Sequence, residues 1–144
     1  MKTLAVFGFF IGAIALFSWF TAWGVQGASQ ANAIALNYGV YRSHALRNII
    51  GTNATGDIAD ASLSLPTAWK PLRQWKTRVD GGVCYVYGPA ATDEVLRIRE
   101  LFTGSYAVGQ KVSGLLSPRL AGSAPFSLPG FIPESAVVTA VRMQ

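Results

Sequence analysis

Hydrophobic positions along this chain fall into two regimes, one continuous run and then a series of periodic stripes. Residues Leu4 to Trp23, LAVFGFFIGAIALFSWFTAW, contain no charge. At about 1.5 Å per residue a helix of that length spans about 30 Å, the thickness of a bilayer's hydrocarbon core. A helix apolar on every face has nothing to show to water, so the run predicts a transmembrane helix. The pattern changes at Ser29. In SQANAIALNYGVYRSHALRNII, Ile34, Tyr38, Tyr41, Ala45 and Ile49 recur at intervals of three and four, one stripe of an α-helix. Ser43 and Arg47 fall opposite. Leu36 and Val40 lie off the stripe, which predicts a second covered face. Gly39 weakens this helix by about 1 kcal/mol relative to alanine, and Gly51 suits its C-terminal end. The stripe reads as packing against the chain's own domain rather than as a stalk.

The pieces that follow are shorter. Thr52 to Asp60, TNATGDIAD, is rich in turn residues and reads as a loop. Ala61 to Leu65 is a brief apolar run stopped by Pro66. Trp69, Leu72 and Trp75 are spaced by three around Pro71, predicting a turn or short helix whose indoles cover an edge of the core. Val83 to Tyr87 is β-branched and aromatic and predicts a strand, with Asp80-Gly81 as the turn before it and Gly88-Pro89 as its end. Thr92 is placed as the cap of a helix over Asp93 to Phe102. Asp93 and Glu94 sit in its first turn, where acids suit the dipole. Val95, Ile98 and Phe102 form its inward face, and Asp93–Arg97 an i,i+4 pair.

After Gly104 come the apolar pieces Tyr106 to Val108, Val112 and Leu115-Leu116. Pro118 to Pro133, with four prolines, predicts an irregular covering loop. Ser135 to Val141 predicts a closing strand. The fold class expected is α+β: an N-terminal transmembrane helix, then a long amphipathic helix packed on a small, mostly antiparallel sheet, with one further short helix. Three segments result, an anchor over 1–23, the amphipathic helix over 24–51 and a small domain over 52–144.

Charge changes this picture by setting orientation. Lys2 precedes the apolar run and no charge follows it until Arg42, so the positive-inside rule puts the N-terminus in the cytoplasm and the rest outside. Trp19 and Trp23 fit the outer interface. Gly8 and Gly12 form a GxxxG, a candidate contact between transmembrane helices. Ala31-Asn32-Ala33 has the small-x-small form of a signal peptidase site, but the apolar run exceeds the usual h-region of about 7–15 residues. A retained anchor is therefore expected, with a cleaved, soluble binding module as the alternative. Gly8-Phe9 resembles a prepilin cleavage site. The Glu that such pilins carry five residues further on is Ala13 here.

The net charge of +5 is dispersed, with no basic cluster of the kind nucleic acid requires. The one cysteine, Cys84, cannot form an intramolecular disulfide. His44 is the single histidine, and no nucleophile signature surrounds it or Cys84. Asp57 and Asp60 lie in the turn-rich loop and read as turn formers. No phosphate-binding glycine loop and no GxSxG occurs. The expectation is a chain that is no enzyme and needs no metal or cofactor.

The order of parts carries a resemblance. The apolar run leads into Tyr38-x-x-Tyr41-Arg42-x-x-Ala45-Leu46. Ser64-Leu65-Pro66, Trp69, Trp75 and Gly82-Val83-Cys84-Tyr85-Val86-Tyr87-Gly88 follow, then Val108-Gly109-Gln110, Gly114-Leu115-Leu116, Leu128-Pro129 and Ile132-Pro133. This resembles the PilM proteins of conjugative type IVB (thin) pilus systems, small products encoded with pilus-assembly genes on bacterial plasmids. The Tyr-x-x-Tyr-Arg stretch also resembles the N-terminal helix of pilin-like proteins, so a pilin-like minor subunit is a further alternative. The resemblance implies pilus biogenesis at the bacterial inner membrane through a periplasmic domain, with other pilus-assembly proteins and the bilayer as partners. It leaves self-association open and supplies no catalytic residues. Tyr38, Tyr41, Arg42, Trp69 and Trp75 are the candidate partner interface.

Overall fold

The computed structural model describes residues 27–143. The apolar run, its orientation and the Gly8/Gly12 contact lie outside the described residues. Among the described residues no helix is long and apolar enough to cross a membrane.

Helix α1 (residues 27–49) buries the stripe read from the sequence: Ile34, Tyr38, Tyr41, Ala45 and Ile49 are all 2% exposed or less. It stops at Gly51, whose φ of +83° is the left-handed conformation in which a glycine ends helices. Leu36 departs from expectation. It is 60% exposed and Val40 half-buried, so no second face of α1 is covered by the described chain.

Six antiparallel strands form one sheet: β1 (Gly56–Ile58), β2 (Lys76–Asp80), β3 (Val83–Gly88), β4 (Val108–Val112), β5 (Leu115–Ser117) and β6 (Val137–Arg142). Their spatial order is β1-β2-β3-β6-β4-β5. The strand read at 83–87 and the closing strand are neighbours, Val86 opposite Thr139. Gly81 and Gly82, both at positive φ, make the two-residue turn between β2 and β3 that the strand twist favours. Two strands correct the sequence pattern. The expected loop Thr52 to Asp60 contains β1, which pairs with β2 through Gly56 and Val79. β2 itself, KTRVD, turns only Thr77 and Val79 inward, too weak an alternation to announce a strand.

Helix α2 (Thr92–Leu101) begins one residue earlier than expected. Ala91 is its N-cap, Thr92 its first helical residue, and Glu94 accepts the Ala91 backbone N–H at 2.9 Å. Val95 and Ile98 are buried and Phe102 half-buried, as the stripe predicts. Arg97 pairs with Glu100 at 2.7 Å rather than with Asp93, because its side chain reaches along α2 toward the C-terminus.

The result is three layers. Cys84 and Val86 of β3 and Val137 of β6 face α1 and α2. Tyr85, Tyr87 and Val138, alternate residues of the same strands, face Leu128 and Ile132 of the proline-rich segment, which covers the other side as expected. Lys111 of β4, 6% exposed, fastens that cover: its Nζ donates to the carbonyls of Pro129 (3.1 Å) and Ile132 (2.8 Å).

Candidate functional site

The site grows from α1's buried tyrosines. Tyr38 donates to the Val86 carbonyl at 2.9 Å and shares a 2.8 Å hydrogen bond with Thr139, tying the helix to the centre of the sheet. One turn later Tyr41 donates to Asp60 Oδ1 at 2.8 Å and accepts from Thr77 Oγ1 at 3.3 Å. Burial raises the pKa of both phenols, so they remain neutral donors at any physiological pH.

Asn37, just before the two tyrosines on α1, organises the segment that the tryptophans occupy. Its Oδ1 accepts from the Trp75 indole (2.7 Å) and the Leu72 backbone N–H (3.0 Å), and its Nδ2 donates to the Lys70 carbonyl (2.8 Å). Pro66 and Pro71 deny this segment helical hydrogen bonds, so it runs as turns held by a side chain. Trp75 packs edge-on to Tyr38, ring centres 4.9 Å apart, and is 4% exposed. It fits because Gly88 lies beneath: a Cβ there would meet the indole at 2.5 Å and the Gln74 carbonyl at 2.8 Å. Arg73 forms a two-pronged ion pair with the buried Glu94 carboxylate, clamping the segment to α2.

Between α1, this segment and β2 lies a cleft of about 420 Å³, with Tyr41, Asp60, Trp69, Arg73 and Lys76 on its walls. Trp69 stacks on Tyr41 at 5.7 Å and is half-buried. Its indole N–H is buried and has no hydrogen-bond partner among the described residues. Asp60, Trp75 and Lys76 also border a second cavity of about 550 Å³, reaching Asp57, Arg78 and Phe131. The two hollows lie side by side, with Asp60, Trp75 and Lys76 as their shared wall. Arg78 lies over the Phe131 ring at 4.5 Å and pairs with Asp57 at 3.3 Å.

Of the five residues proposed as an interface, Tyr38, Tyr41 and Trp75 lie in the core, Tyr41 and Trp75 backing the cleft and Tyr38 behind them. Trp69 opens into it. Arg42 sits elsewhere, half-buried over the Phe102 ring at 4.2 Å, and desolvation lowers its pKa. Asn37, Arg73 and Glu94 carry no hydrophobic signal and were invisible to periodicity; the two prolines near the tryptophans were the one hint that a side chain must replace backbone bonds.

Cys84 is fully buried, and desolvation pushes its thiol up to about 11, so it carries no nucleophilic thiolate near neutrality. Among the described residues no group of three His, Cys, Asp or Glu could hold a metal ion. Asp57 and Asp60 both border the second cavity, each engaged by a neighbour, Arg78 and Tyr41.

Comparison with known proteins agrees with this architecture. A solved structure described as PilM from Escherichia coli B7A superposes with a TM-score of 0.57 at 16% sequence identity, covering 81% of this chain and 94% of that one. No curated protein matches the sequence. Over residues 6–140 the sequence matches the family described as PilM, and nearly the whole chain takes part, so the protein belongs to the PilM family.

Proposed function

We propose that the protein is a non-catalytic component of conjugative type IVB pilus assembly, anchored in the bacterial inner membrane by residues 4–23, whose periplasmic domain docks another pilus-assembly protein in the Trp69 cleft. Membership of the PilM family makes it a pilus-biogenesis-related protein. The observation that carries the docking is the Trp69 indole: a buried donor left unpartnered costs about 1–3 kcal/mol, a cost that a partner's carbonyl or carboxylate in the cleft removes. Arg73 and Lys76 on the same walls favour an acceptor-rich or acidic segment. A retained anchor is supported by the position of Ala31-Asn32-Ala33 within α1, with Ala31 2% exposed, since a cut after Ala33 would remove the first turns of a packed helix.

The test is pilus production and transfer with chromosomal or plasmid-borne Trp69→Phe, which keeps the ring and removes the N–H, and Trp69→Ala. Both variants are checked for folding by near-UV dichroism. A graded loss of pili, Trp69→Ala below Trp69→Phe below wild type, with fold intact, is the expected result. Wild-type pilus levels in a folded Trp69→Ala variant overturn the assignment.

A further inference from the structure

On α1's outward face is an apolar groove that nothing in the described residues covers. Leu36 is 60% exposed and Leu101 43%, and together with Val40 and Phe102 they line a hollow of about 400 Å³. Its floor is Gly39, the glycine that the helix retains at a cost of about 1 kcal/mol. A Cβ there would stand 2.9 Å from Leu101 Cδ2, so glycine leaves the hollow open where a side chain would displace the Leu101 tip and fill its floor. The same outward line continues through the exposed Ser43 to Ile50, which is 59% exposed and stands two heptads beyond Leu36. Packing within the domain leaves Leu36, Ser43 and Ile50 largely open, whereas Phe102 is shared, its ring also meeting Tyr38 and Arg42.

The geometry points to a second copy of this chain as the occupant, its α1 lying parallel so that Leu36 and Val40 of the two copies meet. This rests on the membrane anchoring proposed above. Three observations select a copy over other occupants. No charge occurs between Trp23 and Arg42, so identical faces meet over this length without repulsion. The apolar run 4–23 precedes α1 in the sequence, so two copies anchored by it present α1 in the same sense. The patch alone is far below the ~1,200 Å² of a stable interface, and a shared bilayer supplies the local concentration that such a weak contact needs.

Cysteine crosslinking of the full-length chain in isolated membranes tests this. Leu36→Cys alters an exposed residue, and Leu120→Cys, 52% exposed on the covering segment, is the control. The buried Cys84 stays in both. Under copper–phenanthroline oxidation, Leu36→Cys should give a covalent dimer several times more abundant than Leu120→Cys. Two results would overturn the proposal: a Leu36→Cys thiol open to maleimide that dimerises no more than the control, or one shielded from maleimide that still forms no dimer, which assigns the groove to another molecule. Carbonate extraction of the same membranes judges the anchor separately. A chain that washes out sinks the anchoring reading, while the dimer yield still decides the α1 contact.

Discussion

Asn37 shows how far a single polar side chain can direct this fold. It gives three hydrogen bonds to a segment more than thirty residues away, standing in for the backbone bonds that Pro66 and Pro71 forbid. Asn37→Ala should therefore cost about 1–3 kcal/mol and expose Trp75, read as a red shift of tryptophan emission together with a lowered urea midpoint. An unchanged midpoint would mean that packing alone holds the segment. Apolar burial was legible at this scale, since every member of the α1 stripe is in the core. Polar burial was not. Glu94 and Lys111 are inside, and Asn37 half-buried, only because carbonyls, an indole and a guanidinium meet them from elsewhere in the chain, and hydropathy holds no record of such partners. Leu36 is the converse: an apolar residue that the pattern put under cover and the described chain leaves open.

Elements were legible in proportion to how much apolar surface each buries by itself. α1, α2 and β3 announce themselves because their inward residues are hydrophobic at the right period. β1 and β2 do not, since three residues of glycine, aspartate and isoleucine become a strand only against an edge supplied by β2. The covering segment was recognisable from its prolines, but its fastening was not. Lys111→Met keeps the aliphatic stem and abandons the Pro129 and Ile132 carbonyls. The expected outcome is a cover that loosens first, with limited proteolysis cutting between 118 and 133 at protease concentrations that leave wild type intact. Gly88→Ala tests the opposite boundary of Trp75. Its Cβ would collide with a backbone oxygen as well as the indole, and a loss of about 1–3 kcal/mol is expected, measured by denaturant titration.

For the molecule as a whole, sandwiching one sheet between helices and a cover traps several acidic groups in dry layers. Tyr38, Tyr41, Tyr85, Tyr87 and Cys84 all have pKa values raised chiefly by burial. Each stays protonated in the folded chain at a pH where the unfolded chain has released its proton. Stability is thus fully present below about pH 9 and falls as pH rises beyond it. For Cys84, moved from 9.0 to about 11, the loss reaches about 2 kcal/mol by pH 11. Unfolding free energy measured from pH 8 to 11 should decline, and Cys84→Ala should decline less steeply by up to one proton. Equal slopes would place the thiol in a wetter setting than its burial indicates.

The position of β6 has a consequence for the time at which the fold can exist. β6 joins β3 to β4, and it follows both in the chain. A polypeptide synthesised only as far as Glu134 holds a three-stranded meander and a separate hairpin, each with an unpaired edge and neither able to find the other. Such edges invite aggregation and proteolysis. Translation through Arg142 removes both edges in one step. The domain therefore depends on its last strand for completeness: a product terminated before β6 keeps two open sheet edges and is expected to be proteolysed sooner than the full chain.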